Sequence, residues 1–112
     1  MSAIKLENMD DTTYLTGSSL KGHLTASFAD IEEVLGKPAF EGKGDKITTE
    51  WVVRWENEEE DTFGYFSIYD WRCARDFNDD YSKIEWNIGG KSFDDWIASD
   101  EVYNKIVELR SV

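Results

Sequence analysis

Cysteine, proline and histidine each occur only once in these 112 residues. A lone Cys73 excludes an intramolecular disulfide and a cysteine-based zinc site, and it fits a reducing compartment. A lone His23 leaves no second imidazole for a zinc set, so a surface or structural histidine is expected there. Long apolar runs are also missing: no stretch approaches the roughly 20 residues of a membrane span. Met1 to Asp11 lacks the basic start and apolar core of a signal peptide. Basic side chains are scarce too, with 12 Lys and Arg against 24 Asp and Glu, for a formal charge of -12. A field of that sign repels nucleic acid and anionic membrane and draws in basic partners.

Aromatic residues are abundant, with five Trp, five Tyr and six Phe. Disordered acidic tails have few aromatics and little apolar surface to bury. Each buried ring hides roughly 150–250 Å², so a few of these anchor a core. Length fits a single domain, with residues 1–11 as a flexible start and residues 12–112 as the folded unit.

Thr12 to Thr16 reads as a short strand, and His23-Leu24-Thr25 as a second short extended piece. Ser27 is a helix N-cap, with Asp30 three residues on as an acidic variant of the capping box. Phe28, Ile31, Val34 and Leu35 follow at helical spacing, and Gly36 and Pro38 end the helix. Ile47 to Glu56 alternates through Thr49, Trp51, Val53 and Trp55, the period of a strand with one aromatic face. Thr62 to Trp71 and Lys83 to Ile88 continue a meander. Gly64 marks a bulge or a close approach. Ser92 and Asp95 cap a last helix with an apolar face through Phe93, Trp96, Ile97, Tyr103, Ile106 and Val107, with Ser99-Asp100 as a break that recaps its second half. The expected fold is α+β: an antiparallel sheet, built from a three-strand meander plus one or two short N-terminal strands, with two helices on one face.

Glu56, Glu58, Glu59, Glu60 and Asp61 fall within six positions at the turn of the first hairpin, and Asp76, Asp79 and Asp80 follow the second strand. Such charge serves either as a solvated loop that resists edge aggregation or as a copy of a phosphate row. Duplex DNA carries one charge per roughly 1.7 Å of axis, a density that a short acidic hairpin approaches. Tyr69 and Trp71 are added as aromatic anchors, because such rings concentrate in binding hot spots.

Other motifs fail on spacing. Gly89-Gly90-Lys91-Ser92 precedes a helix, but Glu85 stands where a phosphate loop needs its first glycine. The pair is expected to turn the chain there, and Lys91 leaves room for a weakly held anion. Asp76, Asn78, Asp79 and Asp80 lack the glycine and terminal glutamate of a calcium loop. Cys73, between Arg72 and Arg75, has a lowered thiol pKa in prospect but no base to act with. No enzyme, cofactor or metal is expected.

Gly22 to Phe28, Leu35-Gly36-Lys37-Pro38, Glu50-Trp51, Phe66 to Trp71 and Trp86-Asn87-Ile88-Gly89-Gly90 come in a distinctive order. That order, over residues 20 to 110, resembles a group of small, uncharacterised acidic proteins of tailed bacteriophages. The acidic run at Glu58 to Asp61 is longer than is usual for that group. The resemblance implies a viral protein in the host cytoplasm and brings no catalytic residues. The leading expectation is a non-enzymatic inhibitor that mimics nucleic acid and occupies a basic host protein, such as a CRISPR effector or restriction enzyme. The alternatives are a nucleotide-signal sponge using Gly89 to Ser92, and a homodimeric accessory protein joined by exposed aromatics.

Overall fold

The computed structural model describes residues 3–11, 18–42, 47–72 and 74–111. Six strands form one antiparallel sheet: β1 (Ile4–Met9), β2 (Ser19–Ser27), β3 (Phe40–Glu41), β4 (Thr49–Asn57), β5 (Thr62–Tyr69) and β6 (Lys83–Gly90). Their order is β1-β4-β5-β6-β2, with β3 also paired to β4. Helices α1 (Phe28–Leu35) and α2 (Phe93–Arg110) complete the expected α+β arrangement. No helix among the described residues is long and apolar enough to cross a membrane.

Alternation along β4 decides which face receives the helices. Trp51, Val53 and Trp55 are buried and pair with Ile68, Phe66 and Gly64 of β5. Directly paired residues share a face, so this set joins Trp86, Ile88, Leu24 and Ala26 in one core. Trp51 packs edge-on against Trp86, with ring centroids 5.3 Å apart, and lies 5.3 Å from Phe28. Buried indoles need an acceptor for their N–H, and each acceptor lies on another part of the chain. Trp51 donates to the Gly36 carbonyl at 2.8 Å, Trp86 to the Ala26 carbonyl at 3.0 Å, and Trp55 to Asp95 Oδ1 at 2.8 Å.

The first helix follows the sequence closely. Ser27 Oγ accepts the Asp30 N–H at 3.1 Å. Gly36 ends the helix at φ +94°, a region that costs other residues strain. At Gly64 the close approach is real: an added methyl group would overlap Asp95 Oδ1 and stand 2.8 Å from Trp55 Nε1.

Several expectations fail. Ile4–Met9, expected as part of a loose end, is an edge strand whose Leu6 pairs with Trp55. Its Ile4 and Leu6 pack against the core, which the polar residues between them conceal. β2 extends to nine residues, with a bulge between Leu20 and Gly22. The strand expected over residues 12–16 lies outside the described residues. Gly89 and Gly90 remain inside β6 and make no turn.

α2 is unbroken. Ser99 Oγ donates back to the Trp96 carbonyl at 2.5 Å, which removes it as an N-cap. Ala98, Val102 and Ile106, four residues apart, carry one buried stripe through the expected break. The inward face is therefore rotated from the one expected, leaving Phe93, Ile97, Tyr103 and Val107 exposed.

Candidate functional site

The β4–β5 turn is held by the Asn57 side chain. Asn57 Oδ1 accepts the N–H groups of Glu59 (3.0 Å) and Glu60 (3.2 Å), the side-chain-to-backbone bonding that favours Asn in turns. Asp61 closes the turn at φ +55°. Glu58 to Asp61 are all exposed. Part of the charge is answered locally: Lys5 Nζ lies 2.7 Å from Glu58, and Arg54 lies 3.2 Å from Glu56. The hydrogen bond to Glu58 and its charge raise the Lys5 pKa. No described base lies within ion-pair distance of Glu59, Glu60 or Asp61.

The second acidic segment differs in kind. Asp70, fully buried, accepts the Thr48 and Thr49 N–H groups at 2.8 Å each and the Thr48 hydroxyl at 2.5 Å. It also accepts the Arg75 N–H at 3.3 Å. The Arg75 guanidinium lies 3.5 Å from the Phe28 ring centre and 4.2 Å from that of Phe77. It pairs with Glu41 at 2.6 Å and Asp80 at 3.3 Å, and donates to Thr49 Oγ1 at 2.8 Å. Its Nε alone lacks a partner.

Asp80 is therefore a partner of Arg75. Asp79 accepts from the Ser82 hydroxyl and from the Ser82 and Tyr81 N–H groups, which holds its carboxyl below the ordinary range. Asp76 accepts the Asn78 N–H at 2.9 Å. Cys73 lies outside the described residues.

Topology then separates the two acidic segments. Glu58 to Asp61 precede β5 and Asp76 to Asp80 follow it. Eight strand residues place them roughly 25 Å apart, at opposite ends of the sheet. They do not form one row.

The start of α2 is already occupied by the protein's own anion. Asp95 Oδ2 accepts the Lys91 and Ser92 N–H groups at 2.8 and 3.0 Å, while its Oδ1 takes the Trp55 indole. The two N–H groups that lead into the helix thus meet a buried carboxylate at its positive end. This is why Gly90 is glycine: a methyl there would stand 2.7 Å from Asp95 Cβ.

The sheet face away from the helices holds a feature that the sequence pattern indicates only in part. Phe40, Glu50, Tyr69, Asn87 and His23 are direct neighbours across β3, β4, β5, β6 and β2. Beside this row lies a groove of about 620 Å³ lined by Leu20, His23, Tyr69, Trp71, Glu85 and Asn87, among others. The small Ser67 and Gly89, which pair with each other, keep the adjoining sheet surface low.

Tyr69 and Trp71 meet edge to face, with centroids 6.5 Å apart and planes at 76°. Burial, foremost, raises the Tyr69 pKa. Burial also raises the pKa of Glu50, whose two cross-strand neighbours are both aromatic. The anchors Tyr69 and Trp71 share this face, whereas Trp51, Trp55 and Trp86 are interior. The signal for this face is the alternate set of strand residues: Glu50 beside Trp51, Tyr69 beside Ile68, Asn87 beside Trp86.

Compared with protein-family models, curated proteins and solved structures, the chain matches none.

Proposed function

We propose that this chain is a non-enzymatic binding protein that docks on a basic, nucleic-acid-binding surface of a host protein and keeps nucleic acid off it. The observation that carries this reading is the β4–β5 tip. Glu59, Glu60 and Asp61 are exposed on a turn pinned by Asn57, with no described base beside them. A fixed anionic tip on a chain of charge -12 loses little conformational freedom on binding and is steered toward cationic clefts. The carboxylates of Asp76, Asp79 and Asp80 have no part in that contact, because local bonds and about 25 Å of strand keep them away from it. A nucleotide-signal sponge at Gly89 to Ser92 is less well supported, since Asp95 already takes the Lys91 and Ser92 N–H groups.

The test is a pull-down from bacterial lysate with the wild-type chain and with the Glu58→Lys/Glu59→Lys/Glu60→Lys variant. The expected result is capture of a nucleic-acid-binding protein by the wild type alone, reversed by added duplex DNA and weakened steeply by salt. Equal capture by the charge-reversed chain would remove the hairpin from the mechanism.

A further inference from the structure

We infer that the outward face of α2 is a docking seam for an amphipathic helix of the basic partner, one that carries a lysine or arginine where it meets Asp100. The inference rests on the basic-partner reading above and adds a second, largely apolar contact to the anionic tip. Three observations carry it.

The first is that α2 has two apolar faces. Ala98, Val102 and Ile106 are buried in the core, whereas Phe93, Ile97, Tyr103 and Val107 are exposed. A surface helix ordinarily keeps polar residues on its outer side. Apolar side chains gathered there mark a contact surface.

The second is their spacing, which specifies the shape of what covers them. Phe93, Ile97, Asp100, Asn104 and Val107, all exposed, follow in alternating steps of four and three. That is the seam along which one helix packs against another. The half-buried Trp96 and Tyr103 flank it on one side, and the exposed Asp94 and Glu108 on the other. Phe93 meets Trp96 edge to face, with centroids 5.3 Å apart, and the Trp96 indole leaves no room for a methyl group on Gly22. A surface fixed in this way before binding loses little freedom on contact.

The third is charge, and it decides the occupant. Asp100 lies at the middle of the seam. No described base lies within ion-pair distance of it, of Asp94 or of Glu108. A second copy of this chain is a poor fit, because pairing the two seams over their full length sets Asp100 against its own counterpart, whichever way the helices run. Each copy also carries -12, so the pair repels. A basic helix instead gives Asp100 a counter-ion between two apolar contacts, and its flanking cations reach Asp94 and Glu108. Charges at such positions select partners in helix pairs.

The experiment is a residue-resolved NMR titration of the whole chain, at physiological salt, with a Leu/Ala/Lys model peptide as long as α2. Its leucines recur in the same alternating steps, so that it forms a basic amphipathic helix. One control peptide is shuffled to abolish the apolar face, and another has glutamate in place of every lysine. Saturable shifts are expected at Ile97, Asp100, Asn104 and Val107 with the basic amphipathic helix alone. Ile97→Ser should weaken that binding about tenfold through lost apolar burial, and Asp100→Asn roughly three- to fivefold. Both positions are exposed, and a dispersed spectrum checks that each variant is folded. The α2 shifts should persist in the Glu58→Lys/Glu59→Lys/Glu60→Lys variant.

Equal shifts with the shuffled or the glutamate peptide would overturn the seam, as would shifts confined to Glu58 to Asp61. So would sedimentation of the free chain as a dimer that Ile97→Ser converts to a monomer, since a second copy would then hold the face. No host protein enters this titration. A failed pull-down beside an intact α2 response counts against the hairpin alone, and the converse counts against the seam alone.

Discussion

The two acidic segments at opposite ends of β5 are both rich in carboxylates, yet they have opposite roles. At the 70–82 end, carboxylates turn inward or along their own loop: Asp70 holds the β4 start, Asp80 pairs with Arg75, and Asp79 caps Tyr81 and Ser82. At the β4–β5 end, Glu59, Glu60 and Asp61 face solvent, and the turn is shaped by Asn57. Counting carboxylates therefore does not find the available ones. What separates them is whether N–H groups, hydroxyls or a guanidinium lie within reach.

The inward-turned end is the more costly one to disturb, and Asp70 is its most sensitive point. Asp70→Ala leaves the Thr48 and Thr49 N–H groups without their acceptor and should cost about 3–5 kcal/mol, the range for disrupting a buried polar network. Urea unfolding monitored by tryptophan fluorescence would measure it. Asp95→Ala, which strips the α2 start and the Trp55 indole of one shared acceptor, should cost about 2 kcal/mol in the same assay.

A smaller effect of opposite sign is expected at Glu50. Burial raises its folded pKa, so ionisation begins to oppose folding as the pH rises past the ordinary value and does so fully above the folded one. Glu50→Gln should raise the melting temperature at neutral pH, and the gain should vanish below the ordinary value of 4.5. The smallest effect belongs to the hairpin: reversing Glu58, Glu59 and Glu60 should leave the urea midpoint essentially unchanged, since exposed substitutions seldom matter.

Much of this is legible in the residues. The period-two run from Thr49 to Trp55 gives a strand and its core face, and Ser27 with Gly36 bounds α1. The α2 face is misleading in sequence because the exposed Phe93 and Tyr103 are larger than the buried Ala98 and Val102. Helix–sheet packing favours the smaller set. β1 is hidden because an edge strand needs only Ile4 and Leu6 inside. Charge alone is enough to find the hairpin. It cannot find the groove, because Tyr69, Asn87 and His23 come from three strands whose order no local pattern encodes.

Titrating the chain with a deca-arginine peptide while following every backbone amide by NMR tests the division between the two ends most directly. Early, salt-sensitive shifts are expected at Glu58 to Asp61, with Asp76 to Asp80 unmoved until the peptide is in large excess. Shifts at Asp79 and Asp80 at the same or lower peptide concentration would refute that division.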